Sequence, residues 1–308
     1  MKKLYILLTF CFFALIAQAQ EEYIFTQYFL NPATINPGAT GFEGTHKILF
    51  NYRNNWSGFQ DSPQSYQANY NGEVASNVGL GANLLSDQYA NLGSVRADLS
   101  FAYMIKGESY KIGAGLSTRF QQYRVTGVDL GNPLVDVSDE MLLDRLNDGQ
   151  FFETSLGFHG LLSNGLFFDL AFPSLVRSQL NNLDDIAESS ASFNYFFGLG
   201  YPVQIRDYDM VIEPSFYVKK FRNVPLHVDF NALMKFMDGK LLSGITYSNG
   251  ADNRLGFLIG TQINTLAFNY SYNISFHDFQ QFNNGGHEIG LALKIGQEQK
   301  AEKMPAEK

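Results

Sequence analysis

The sequence predicts an all-β fold: a transmembrane antiparallel up-and-down β-barrel of about 14 strands behind an N-terminal signal peptide. Three observations predict it. From His46 onward apolar residues recur with a period of two instead of 3.6. The segments so marked run roughly 8–11 residues, the length a tilted strand needs to cross a bilayer. Their connections alternate between tight turns and long loops, the habit of a barrel with short periplasmic turns and long external loops.

The N-terminus reads as an export signal. Lys2 and Lys3, the apolar run Leu4 to Ile16 and the small-x-small site Ala17-Gln18-Ala19 make residues 1–19 a secretory signal peptide. The apolar run is short for a retained helical anchor, which needs about 18 residues. Cys11, the one cysteine of the 308 residues, lies inside this segment, so the exported chain has no disulfide to hold it together. Losing Lys2 and Lys3 takes the formal net charge from −8 to −10.

Residues 20–45 lack the two-residue alternation of the strands. Asn31-Pro32-Ala33-Thr34-Ile35-Asn36-Pro37-Gly38 makes a stiff, non-helical path, and Tyr23, Phe25, Tyr28 and Phe29 give it apolar grip. Its expected place is in the lumen as a plug or along the periplasmic rim.

Residues 46–296 carry the strands, with cores expected at 46–53, 64–72, 77–86, 94–105, 110–122, 151–162, 165–172, 192–202, 210–220, 226–236, 241–248, 254–262, 266–274 and 286–295. The clearest is the second last, where Leu266, Phe268, Tyr270, Tyr272 and Ile274 oppose Ala267, Asn269, Ser271 and Asn273. Tight links at Lys106–Ser109, Ser163–Asn164, Met237–Lys240 and Asn264–Thr265 all follow even-numbered segments, and pairs such as Asp238-Gly239 make two-residue hairpin turns. The long links 123–150, 173–191 and 275–285 follow odd-numbered ones, which places both termini in the periplasm. Helical periodicity is confined to Asp139–Leu146 and Leu180–Glu188, inside connections. Residues 297–308 form a charged tail expected to be disordered.

A barrel is the physical answer because hydrocarbon offers no partner to a backbone N–H or C=O, so an open sheet edge is not tolerated there. Arg96, Asp98, Arg119, Glu153, Asp169, Glu213, His227 and Asp229 fall on the inner face, where a dry core would penalise them. In a wet lumen they are expected to need no individual partner. A soluble β-sandwich would not need so many evenly long strands.

Composition excludes several functions. Charged residues make up 17%, against 28 Phe, 17 Tyr and 28 Gly, the reverse of a disordered chain. The acidic balance argues against a nucleic-acid partner. There is no G-x-S-x-G and no H-E-x-x-H, and no cofactor or metal is expected. His227 and Asp229 share a strand face, and Asp184, Asp185 and Glu188 a loop; both sets read as solvated polar residues before metal ligands. The paired glycines at 79/81, 113/115 and 198/200 lie within strands and are expected to allow close packing or a plug contact.

An ordered series of residues resembles a known family. Phe25-Thr26-Gln27-Tyr28-Phe29-Leu30-Asn31-Pro32 and Ile35-Asn36-Pro37-Gly38-Ala39-Thr40-Gly41 open it. Arg53, Trp56, Gly58 and Pro63 come next, then Gly79-Leu80-Gly81 with Ser86-Asp87-Gln88, then the run from Asn164 to the closing Pro173. Glu213-Pro214-Ser215, Pro225 to Asn231, Gly244-Ile245-Thr246-Tyr247, Gly256 and Gly286-His287-Glu288-Ile289-Gly290-Leu291 complete it. The series is similar to the PorP/SprF family, outer-membrane proteins of the Bacteroidota type IX secretion system. The chain departs from that pattern at its end, where Ala292-Leu293-Lys294-Ile295 and a Lys/Glu tail stand in place of an aromatic terminus.

The resemblance implies a non-enzymatic accessory of secretion in the outer membrane. It would assist export or surface attachment of sorting-domain cargo, for example a gliding adhesin, in contact with outer-membrane lipid, secretion components and a peptidoglycan-associated periplasmic protein. Asn31, Pro32, Asn36, Pro37, Arg53, Trp56, Pro173, His287 and Glu288 are the structural or interaction candidates it points to. A second reading is a transport barrel for hydrophobic or small nutrient molecules, since fourteen strands lie between small filled barrels and open porins.

Overall fold

Strict alternation makes each strand two-faced, and closing the sheet turns one face outward and the other into a lumen. The computed structural model describes residues 24–125, 149–180, 194–221, 225–250 and 253–296. The strands are β1 (His46–Asn54), β2 (Gln64–Ala75), β3 (Val78–Tyr89), β4 (Leu92–Lys106), β5 (Tyr110–Val125), β6 (Gln150–Leu162), β7 (Phe167–Gln179), β8 (Tyr195–Gly200), β9 (Val203–Ile205), β10 (Met210–Lys220), β11 (His227–Phe236), β12 (Leu241–Asn249), β13 (Arg254–Ile263), β14 (Leu266–Ser275) and β15 (Gly286–Ile295). Every pairing is antiparallel, and β1 pairs with β15, which closes the ring. β8 and β9 lie end to end along β10 on either side of Tyr201-Pro202, so the wall has 14 staves.

The faces fall where the period of two puts them. Along β4, Val95, Leu99, Phe101, Tyr103 and Ile105 are exposed, while Arg96, Ala102 and Met104 are buried. Along β14, Leu266 and Phe268 are exposed and Ala267, Asn269, Ser271 and Asn273 are buried. An exposed apolar outside and a buried polar inside invert the order of a soluble core, as lipid demands.

Connections at one end are uniformly short: 76–77, 107–109, 163–166, 206–209, 237–240 and 264–265. Several need left-handed backbone, as at Asn77 (φ 64), Asp238 (φ 55) and Asn264 (φ 53). The other end carries the longer links, though β3 and β4 also meet there through the two-residue turn Ala90-Asn91.

Two expectations about strands are corrected. Pro173 does not close β7. It opens a bulge in which the register with β6 jumps from Phe172↔Leu156 to Val176↔Thr154, Ser174 takes φ 52, and the strand runs on to Gln179. The segment read as 192–202 is instead interrupted at Tyr201-Pro202 and resumes as β9, with the Tyr201 N–H still donating to the Pro214 carbonyl. The signal peptide, the helical periodicity at 139–146 and 181–188 and the tail 297–308 lie outside the described residues.

Candidate functional site

The lumen is filled by the chain itself. Residues 24–45 run as short 3-10 turns, Thr26–Leu30, Pro32–Thr34 and Pro37–Ala39, because the two prolines fix φ and supply no donor for a longer helix. Their side chains and backbone reach inner faces all round the ring: Asn69 and Asn71 on β2, Ser100 on β4, Asp169 on β7, Asp229 on β11, Asn273 on β14 and Glu288 on β15. A segment touching all of these lies within the barrel. It begins beside Arg53 near the long-loop end of β1 and enters β1 at His46, at the opposite end.

The lower half of this plug, residues 36–45, is seated on bare backbone. A Cβ added at Gly38 would stand 2.7 Å from the Phe158 Cα and 2.8 Å from two strand carbonyl oxygens. Cβ atoms at Gly79, Gly113, Gly115 and Gly157 would run into Thr40, Gly38, Pro37 and Asn36 respectively. The strand glycines are the space that plug and wall share. Those at 198 and 200 serve differently: they make room for the Tyr217 and Phe167 rings. Asn36, fully buried, ties this half together. Its Oδ1 accepts from the Gly38 N–H at 3.0 Å, and its Nδ2 donates to the Phe158 carbonyl (2.8 Å) and to Asp169 (2.7 Å), which also holds His159 at 2.8 Å.

The upper half, residues 24–31, is held by polar latches and by an apolar cluster in which Tyr28 packs with Ala171, Phe196 and Tyr217. Glu288, 1% exposed, accepts from the backbone N–H of Thr26 (3.0 Å) and Gln27 (3.4 Å). Arg53, 2% exposed, lies directly across from Glu288 in the β1–β15 register, pairs with it at 3.6 Å and donates to the Ile24 carbonyl at 2.5 Å. The Tyr28 hydroxyl donates to Asp229 at 2.7 Å, and Lys219 binds the same carboxylate oxygen at 2.6 Å. Burial, and after it the Asp229 carboxylate, push the Tyr28 phenol well above its ordinary value, so it stays protonated as a donor. The Tyr28 ring packs edge-on against Phe196 and Tyr217.

Beside the upper half runs a belt of side chains drawn from seven successive strands, β1 to β7. Asn51 donates to Gln67, Gln67 to Asn83 and Asn83 to Asp98. Arg119 bridges Asp98 and Glu153, and Arg177 and Ser174 complete the Glu153 carboxylate. The inner-face charges therefore have partners, contrary to the expectation that a wet lumen would leave them alone. With the plug in place little water is left to solvate them, and a charge so buried must be paired. Between belt and plug remains a pocket of about 50 Å³, room for a few waters, lined among others by Ile24, Phe25, Ile35, Asn83, Arg119 and Phe221.

Of the sequence candidates, Asn31, Asn36, Pro37, Arg53 and Glu288 meet at the plug, where Pro32 starts its second turn, and Pro173 lines the pocket. Asn31 joins the Asn69 and Asn71 amides at 3.2 and 3.3 Å. Trp56 and His287 are elsewhere. Trp56, with φ 53, stacks edge-on with Tyr89 and Phe279 at the long-loop end, and His287 faces outward against Tyr270 and Tyr272. Tyr28, Lys219, Asp229 and Gln27 complete the site. Sequence reading singled out Tyr28 as apolar grip and Asp229 as an inner-face residue, with nothing local to join them. His227 turns its Nδ1 to the Pro225 carbonyl at 2.9 Å. Among the described residues no group of His, Cys, Asp and Glu is arranged to hold a metal.

The family model described as type IX secretion system membrane protein PorP/SprF matches residues 17–293, which spans the plug and all but the end of the last strand. The chain belongs to the PorP/SprF family. It is accordingly an outer-membrane β-barrel of type IX secretion, and the latch and seat residues lie within the matched region. No curated protein matches it. Among solved structures it is similar to the outer membrane protein Omp33 of Acinetobacter baumannii (10% identity, 83% of this chain and 99% of that one, TM-score 0.47). It is also similar to the toluene transporter TbuX of Ralstonia pickettii (11% identity, 85% and 92%, TM-score 0.48).

Proposed function

We propose that this PorP/SprF barrel assists the export or surface attachment of cargo carrying a C-terminal sorting domain, such as a gliding adhesin in a Bacteroidota cell. The single observation that carries the reading is the family match over residues 17–293. Its role is structural and not enzymatic. The short-turn end, where β1 begins and β15 ends, faces the periplasm and contacts secretion machinery, including a peptidoglycan-associated protein. At that end of the plug Glu43 is exposed and pairs with Lys47 at 2.5 Å, which makes it the plug's point of contact with the machinery.

The long loops between β5 and β6 and between β7 and β8 contact cargo outside. Deleting residues 130–145, which leaves every described strand intact, should preserve barrel assembly and reduce cargo display at the cell surface. Undiminished display would remove that assignment. The alternative of a transport channel for hydrophobic or small nutrient molecules is less well supported, because the plug fills the lumen; rapid liposome swelling by the wild-type protein would favour it.

A further inference from the structure

The two halves of the plug are held by different physics. Residues 36–45 sit backbone-on-backbone against four strand glycines, a fit with no slack, because packed interiors tolerate no overlap. Residues 24–31 are held through side chains instead, by hydrogen bonds to Glu288, Arg53, Asp229, Asn69, Asn71 and Asn273 and by the Tyr28 ring on Phe196 and Tyr217, with a pocket beside Ile24 and Phe25. The upper half also starts at the long-loop end, so it can leave the lumen without passing the seat. Pro32 and Pro37 bound the stretch where one mode of holding gives way to the other.

We propose that residues 24–35 are a hinged gate on a fixed seat. When the Glu288 and Tyr28 latches let go, the gate swings toward the long-loop mouth while residues 36–45 stay in place, and the lumen opens to water and small ions. The polar belt from Asn51 to Arg177 then forms the wall of the opened path, and its internal pairing lets it stand without the plug. The gate does not depend on the secretion reading and is tested without cargo.

The experiment uses the purified full-length mature protein in planar lipid bilayers, with potassium chloride as the permeant. Wild type should conduct rarely. The double variant Tyr28→Phe/Glu288→Gln should raise the open fraction by about tenfold or more, the shift that loss of one hydrogen bond brings. Joining Thr26→Cys to Asn273→Cys with a short thiol crosslinker, at side chains 3.2 Å apart in the native protein, should return conductance to the wild-type level. Equal conductance in wild type and the double variant overturns the gate, as does a crosslinked protein that still conducts. Hydrogen exchange on the unaltered protein gives a reading free of variant folding. Amides of Tyr28 and Asn31 should exchange about tenfold faster than those of Ala39 and Thr40, and equal protection of the two sets also overturns the proposal.

Discussion

The Tyr28 hydroxyl donates to the Asp229 carboxylate at 2.7 Å although 201 positions of sequence separate them. Asp229 is simultaneously the counter-ion of Lys219, so one carboxylate holds both a strand neighbour and the plug. Replacing Tyr28 by Phe keeps the ring packed against Phe196 and Tyr217 and removes only the donor. The expected cost is about 1 kcal/mol. It should appear as earlier proteolysis of the N-terminal segment, with the barrel's heat-modifiable migration on gels unchanged.

The glycine seat gives a sharper contrast. Gly113→Ala and Gly115→Ala place a methyl into the backbone of residues 37 and 38, whereas Gly244→Ala meets nothing nearer than 3.4 Å. The seat variants should lose roughly 1–3 kcal/mol of unfolding free energy through overpacking, and the control should lose far less. Urea unfolding in lipid vesicles measures the difference; equal midpoints for Gly115→Ala and Gly244→Ala would contradict the seat.

Arg119 stands between two carboxylates, Asp98 and Glu153. Arg119→Ala leaves like charges facing each other in a nearly closed lumen, at an expected cost on the order of 3 kcal/mol. Adding Asp98→Asn to the same protein should restore most of that loss, because Asp98 is then neutral while Glu153 keeps Arg177 as its partner. A double variant as unstable as the single one would refute the pairing.

Leu99 lies at the middle of β4 and is 66% exposed, yet its surroundings are lipid. Leu99→Arg should lower folding yield into phospholipid vesicles by about 2–4 kcal/mol of transfer cost. Ser100→Arg, on the inner face one residue on, strikes Thr40 instead and should loosen the plug. The two positions thus separate membrane insertion from lumen packing.

The outer wall was legible in the sequence because alternation is a local property. Leu266 to Ile274 show their lipid face without reference to any other strand, and the tight turns at 237–240 and 264–265 mark the ends. Pro173 misled because a proline reads as a terminus, whereas a bulge absorbs its missing donor and the strand continues. The lumen was legible only in part. Asn31, Asn36, Arg53 and Glu288 stood out by family resemblance, but nothing near Tyr28 points to Asp229, a partner chosen by the closure of the ring, which brings distant positions to the same height. Asp98 and Arg119, by contrast, face each other across the β4–β5 hairpin, in a register that the turn at 107–109 sets. The expectation of unpaired inner charges failed because it required knowing what fills the interior.

The seam between the first and last strands carries a consequence for biogenesis. Until β15 meets β1 there is no lumen, only a curled ribbon with two free margins. Arg53 on one margin and Glu288 on the other are direct partners across that seam, and both grip residues 24–27. The segment that precedes β1 therefore ties the two margins together: Glu288 holds its Thr26 and Gln27 amides, and Arg53 its Ile24 carbonyl. A nascent barrel lacking this segment should stall at the last joining step and persist as an unsealed, protease-sensitive intermediate.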